Sequence, residues 1–142
     1  MSLSTIELIS ELEFHPYLLA QLDDLRALQK KHGIVTQSYG TLGPIIKHPT
    51  GGPLKPVLKR IAERLSKEHG TEIDEAVVLY LWTRDQGVVP ITTSSREANI
   101  AKAALALTLP PLSKEDADEI ETTGRKIHWR ASVSAMVAVV LG

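Results

Sequence analysis

Cysteine is absent from the 142 residues, which removes disulfides and thiolate chemistry. A reducing compartment is allowed, and a cytoplasmic setting is the expectation. A charge bias is lacking too: 16 Lys and Arg stand against 17 Asp and Glu, a net charge of −1. Such a balance does not attract a nucleic acid through bulk electrostatics. Met1–Ser10 has neither the basic start nor the apolar run of a signal peptide. No stretch reaches the roughly 18 apolar residues of a spanning helix, so no membrane partner is expected. Ala131–Leu141, the most apolar run, is too short to span and its role is open. No metal-ligand set, internal repeat or low-complexity segment is assigned.

What remains is 43% hydrophobic and 23% charged, the balance of a globular chain long enough for one domain, 1–142, with a real core. Leu12–Phe14 reads as a short strand stopped at His15-Pro16, because proline pushes the residue before it to extended geometry. Leu18–His32 carries a helical stripe and ends at Gly33. Ile34–Tyr39 is a second strand candidate, and Gly40–Pro53 a long loop. Pro53–His69 is helical, with Gly70 as its stop; Thr71, followed by Asp74, is expected to cap the next helix, which ends near Gly87. Val88–Ile91 is the third strand, then come helices Ser95–Leu107 and Lys114–Thr123. Alternation of this kind predicts an α/β fold of about three parallel strands with helical crossovers. Three strands cannot close a barrel of eight, and an open sheet leaves two apolar edges. Another chain, the terminal segments or a rearranged fold must cover them.

Within Gly87–Lys102 the apolar run Val88–Ile91 enters a helix through Thr92, Thr93, Ser94 and Ser95. Free backbone N–H groups and hydroxyls converging at such a turn suit a phosphate. The alternative is that Ser94 or Ser95 only caps the helix.

Three blocks in order, Glu13-Phe14-His15-Pro16-Tyr17-Leu18, then His32-Gly33-Ile34-Val35 with Ser38-Tyr39-Gly40-Thr41-Leu42-Gly43, then Val88-Val89-Pro90-Ile91-Thr92-Thr93-Ser94-Ser95, resemble motifs of the aldo-keto reductases, most like fungal members. The resemblance runs from about Glu7 to Arg130 and corresponds to the C-terminal half of a family member. It implies strands six to eight of a (β/α)8 barrel, a partial TIM barrel, with Lys114–Gly124 as the helix that follows it. It implies NADPH as cofactor and a small-molecule carbonyl as substrate. Carried over, Tyr39 would stack on the nicotinamide, Leu42 would lend a backbone contact beside the pyrophosphate, and Thr93 and Ser94 would hold the 2′-phosphate.

The sequence departs from the pattern at several points. Ser10 and Glu11 stand where the family has Asn-Gln, and Glu11 can accept from the carboxamide but not donate to it. Asn99 replaces the arginine that lies on the adenosine, and Ala103 the asparagine four residues on; Arg96 and Lys102 are nearby cations. The family's catalytic Asp, Tyr, Lys and His belong to segments before Glu7 and have no counterpart in these residues. Tyr17, Tyr80, Lys47 and His48 are weighed as substitutes and none is assigned, so the catalytic set is empty. His15 is expected to be structural, and Ile127-His128-Trp129 a coincidental likeness to the run around the catalytic histidine, in an exposed tail. An oxidoreductase by kinship is the first expectation. The alternative is a non-catalytic pseudoenzyme or interaction module with a partial nucleotide site, or a truncated product. Self-association, or pairing with another half-barrel, is expected through the open edges.

Overall fold

The computed structural model describes residues 8–91, 97–131 and 138–141. Strand β1 (Leu8–Glu13) leads through a 3-10 turn at Pro16–Leu18 into α1 (Leu19–Lys31). Strand β2 (Val35–Tyr39) is followed by a short α2 (Gly43–Ile46), then α3 (Leu54–His69) and α4 (Glu75–Asp85). Strand β3 (Val89–Pro90), α5 (Glu97–Thr108), α6 (Lys114–Gly124) and β4 (Ala138–Leu141) complete the order. The sheet runs β3-β2-β1-β4. Strands β1, β2 and β3 are parallel, in the register Glu11↔Gln37, Glu13↔Tyr39 and Gln37↔Val89. This is a partial (β/α) barrel-like fold, with three parallel strands and flanking helices, as the alternating pattern predicts.

The core lies between one face of the sheet and the helices. Leu12 and Phe14 of β1 reach into it, and α3 supplies Leu54, Leu58, Ile61, Ala62 and Leu65 at helical spacing. Helix α4 is buried without a break from Ala76 to Thr83, because α3, α5 and β3 all pack against it. Phe14 joins the layers: its ring stacks on Trp82 with centroids 5.4 Å apart, and the Arg26 guanidinium lies 4.7 Å from its centre. Helix α6 crosses the 3-10 turn so closely at Gly124 that a Cβ there would collide with the Pro16 carbonyl.

Three expectations need correction. Helix α4 is capped by Asp74, whose Oδ1 accepts from Val77 N–H at 3.1 Å, and not by Thr71. The Ser66 hydroxyl donates to the Ile73 carbonyl and accepts from its N–H, both at 2.9 Å, which pins Ile73 outside the helix. The Gly40–Pro53 stretch is not all loop, since Pro44 in the first turn helps start α2. Most consequentially, the β1 edge is not open. Strand β4 pairs antiparallel with it, Leu8↔Leu141 to Glu11↔Ala138. The other outer strand, β3, has only two residues, one of them proline, and is a poor template for further pairing.

Candidate active-site face

Alternation along a strand sends successive side chains to opposite faces. Ser10, Leu12, Thr36 and Ser38 go to the helix side and are buried. Ile9, Glu11, Glu13, Val35, Gln37, Tyr39 and Val89 therefore share the other face, where Val35 is 42% and Val89 48% exposed. Glu11 and Tyr39, both half-buried, stand on that face two positions apart along adjacent strands. These are two of the six residues expected to meet a cofactor. Leu42 sits at the start of α2 with its side chain in the core, leaving its backbone as the part that could serve a ligand. Thr93 and Ser94 lie outside the described residues, as do Thr92, Ser95 and Arg96, so the hydroxyl-rich turn does too. Asn99 belongs to α5, and its side chain is outside the description. Lys102, weighed as a compensating cation, is paired with Asp74 at 2.8 Å.

The chain ends of β1 and β2 meet in a polar and aromatic cluster. Glu13 and His15, two residues apart in extended chain, bond to each other, Nε2 to Oε2 at 2.8 Å. The same carboxylate oxygen accepts from Ala131 N–H at 2.7 Å. His15 is buried, and its Nδ1 has no hydrogen-bond partner among the described residues. Burial holds its pKa below the usual histidine value, against the pull of Glu13. The shift favours the neutral imidazole over the imidazolium beside Glu13. Tyr17 uses its hydroxyl twice, donating to the Gly51 carbonyl at 2.5 Å and accepting from Leu54 N–H at 3.0 Å. Burial raises its pKa. Gly52, with φ of +62°, leaves no space for a Cβ, which would stand 2.5 Å from that oxygen. Tyr80 is buried in α4, its pKa raised by burial and then by Asp74. Neither tyrosine is placed as a proton donor.

Sequence reasoning missed Trp129. His128 is exposed as expected, but the Trp129 ring packs between His15 (centroids 5.5 Å apart) and His48 (5.2 Å), and the Trp129 backbone N–H donates to the Tyr17 carbonyl at 3.3 Å. Beside this cluster a cleft of about 370 Å³ is lined by Ile45, His48, Pro49, Thr50, Gly51, Lys55 and Glu75. A larger one, about 540 Å³, lies at the far end of α3, against Arg64, His69 and the Pro110-Pro111 turn, away from the motif residues.

Two outcomes follow from this cluster. Tyr17→Phe is expected to cost about 1–3 kcal/mol, because it strands the Gly51 carbonyl and the Leu54 N–H; urea unfolding of the two proteins measures it. His15 is neutral in the fold and protonates more readily when unfolded, so the unfolded state binds more protons at mildly acid pH. Its contribution is fully present above about pH 6.5 and is lost as pH falls toward the depressed folded value. His15→Gln should flatten that acid arm of the stability profile, and an unchanged slope would place the titration elsewhere.

No family model matches the chain. It is similar to two curated yeast enzymes. One is an NAD/NADP-dependent indole-3-acetaldehyde reductase of Schizosaccharomyces pombe, 30% identical over 128 residues, or 90% of this chain and 42% of that protein. The other is an NADPH-dependent alpha-keto amide reductase of Saccharomyces cerevisiae, 28% identical over 126 residues, covering 85% of this chain and 39% of that protein. Among solved structures it resembles an aldo/keto reductase from Brucella melitensis (27% identity, TM-score 0.63, 81% of this chain and 38% of that one). It also resembles a variant of the Gox0644 protein in complex with NADPH (25%, TM-score 0.64, 81% and 37%). The chain therefore spans about two fifths of the relatives it matches. Its similarity is to the aldo-keto reductase superfamily, and it extends to fungal and bacterial proteins with no clear bias toward the fungal ones.

Proposed function

We propose that the chain is the cofactor side of an NADP-dependent carbonyl reductase of the aldo-keto reductase class, acting on an aldehyde or ketone. The observation that carries this reading is the placement of Tyr39 and Glu11 together on the sheet face that the helices leave open. A bound NADPH would supply the hydride. Tyr39, at the C-terminal end of β2, offers a flat aromatic surface to a nicotinamide ring, while the Leu42 backbone and the Thr93–Ser94 hydroxyls serve the phosphates. Glu11 adds a negative charge that favours the oxidised, cationic form of the ring. The face also exposes Val35 and Val89, and α5 exposes Ile100 and Leu107. Apolar surface of this kind suits cover by a complementary half-barrel, the partner in this reading.

Titration of NADPH fluorescence tests the site. Weak binding is expected, since Asn99 stands where the family has the arginine on the adenosine, and a charge-assisted bond lost is worth about 1.5–3 kcal/mol. Tyr39→Ala and Ser94→Ala should each weaken it further; tight binding indifferent to both would refute the site. A non-catalytic nucleotide-binding module is the second reading, favoured by the internal commitment of the Tyr17 hydroxyl. Binding without turnover would select it.

A further inference from the structure

We propose that β4 is a removable cap on the β1 edge, an intramolecular strand that keeps the sheet from growing on that side. Strand β1 has six residues and pairs through one side with β2. The other side would present an unpaired ladder of N–H and C=O groups, a template for any extended chain. Strand β4 covers Leu8 to Glu11 of that ladder.

The way the tail arrives explains its direction. The segment before it is fastened to the C-terminal end of β1. The Trp129 backbone N–H bonds the Tyr17 carbonyl, its ring lies among His15, Tyr17 and His48, and the Ala131 N–H bonds the Glu13 carboxylate. A chain held at Glu13 can meet β1 only by running back along it, so β4 is antiparallel in a sheet whose other pairs are parallel. Only residues 132–137 separate the anchor from the strand. So short a connection gives β4 a high effective concentration at its edge. Four residues paired on one side form a weak strand, and among the described residues nothing pairs with its outer edge. Release of β4 opens the β1 edge to a strand from a second copy. This inference does not depend on the reductase reading.

The experiment is Val139→Pro with Val140→Pro in the whole chain. Successive N–H groups of a strand point alternately toward and away from a neighbour, so adjacent prolines remove a ladder donor whichever residue carries it. Hydrogen exchange of Leu8–Glu11 and sedimentation over a range of concentrations are the readouts. The intact chain should protect those amides and sediment as a monomer throughout. The variant should lose the protection when dilute and form faster-sedimenting species as concentration rises. A peptide of residues 131–142 added in trans should reverse the association. Leu8–Glu11 exchanging equally fast in both proteins, or a variant that stays monomeric at every concentration, would overturn the proposal. If the proline variant loses its helical signal, a chain ending at residue 131 is measured in its place. Unfolding of that chain as well would make β4 a structural member rather than a cap, which also overturns it.

Discussion

Trp82→Ala is expected to destabilise the fold by about 3–5 kcal/mol, enough to unfold a marginal domain at ordinary temperature. Trp82 is fully buried, lies in the unbroken buried run of α4, and stacks on Phe14 at the junction of helices and sheet. Removing the indole leaves a cavity between layers that are pinned elsewhere, by the Asp74 cap at one end of α4 and by the Arg26 side chain on the Gln86 carbonyl at the other. Collapse into the space is therefore restricted, which places the cost at the upper part of the large-to-small range. Trp82→Phe separates size from polarity. The indole Nε1 is buried without a hydrogen-bond partner among the described residues, so phenylalanine keeps most of the stacking and removes an unsatisfied donor. Urea unfolding should show the alanine variant far below the phenylalanine one. Near-equal losses would mean that α4 does not depend on this contact.

Strands β2 and β3 were legible because their signals are local, short runs with β-branched residues bounded by Gly. Of β1 only the end near His15-Pro16 was legible, as Leu12–Phe14; its start at Leu8 was not, because LISELE holds a single β-branched residue and mixes apolar with acidic side chains. Helix α3 was legible from its apolar spacing and α6 from Ser113, whose hydroxyl accepts from Asp116 N–H at 3.2 Å. The α4 start was misplaced by three residues because a hydroxyl and a carboxylate cap equally well. The choice between Thr71 and Asp74 was made by Ser66, a residue on another helix. Strand β4 was legible only in part: Ala131–Leu141 stands out as the most apolar run and a terminal segment was one expected cover of the sheet edges, but the continuously apolar Ala138–Leu141 carries no period and its partner is more than 120 residues away. Of the site, Glu11 and Tyr39 were assigned by resemblance, and strand alternation then places them on one face. The Glu13–His15 bond could have been read from spacing alone, because residues i and i+2 of an extended chain point the same way. The contact of Trp129 with Gly43, where a Cβ would stand 3.1 Å from the indole, could not, because it joins the segment after α6 to the start of α2, far apart in the chain.

The 142-residue chain by itself is expected to reduce aldehydes slowly or not at all. A hydride acceptor needs a proton at the developing alkoxide, and a positioned general acid contributes about 10²–10⁴-fold. Stabilisation of the oxyanion by fixed donors is comparable or larger. In the split-site reading proposed above, the residues for both tasks would be supplied by the complementary half. Within the chain, Tyr17 is bound to Gly51 and Leu54, and Tyr80 is buried in α4, which leaves half-buried Tyr39 as the phenol nearest the open face. NADPH oxidation with a panel of reactive aldehydes, with and without a co-expressed N-terminal half-barrel of a related reductase, is the measurement. Activity should appear with the added half and rise by at least about 10²–10⁴-fold, since that half would bring both the acid and the oxyanion donors. The added half must pair with the β1 edge, where β4 now lies. Complementation should accordingly be stronger with Val139→Pro and Val140→Pro than with the unaltered tail. Turnover by the chain alone that disappears in Tyr39→Phe would refute the split-site reading and make Tyr39 the acid.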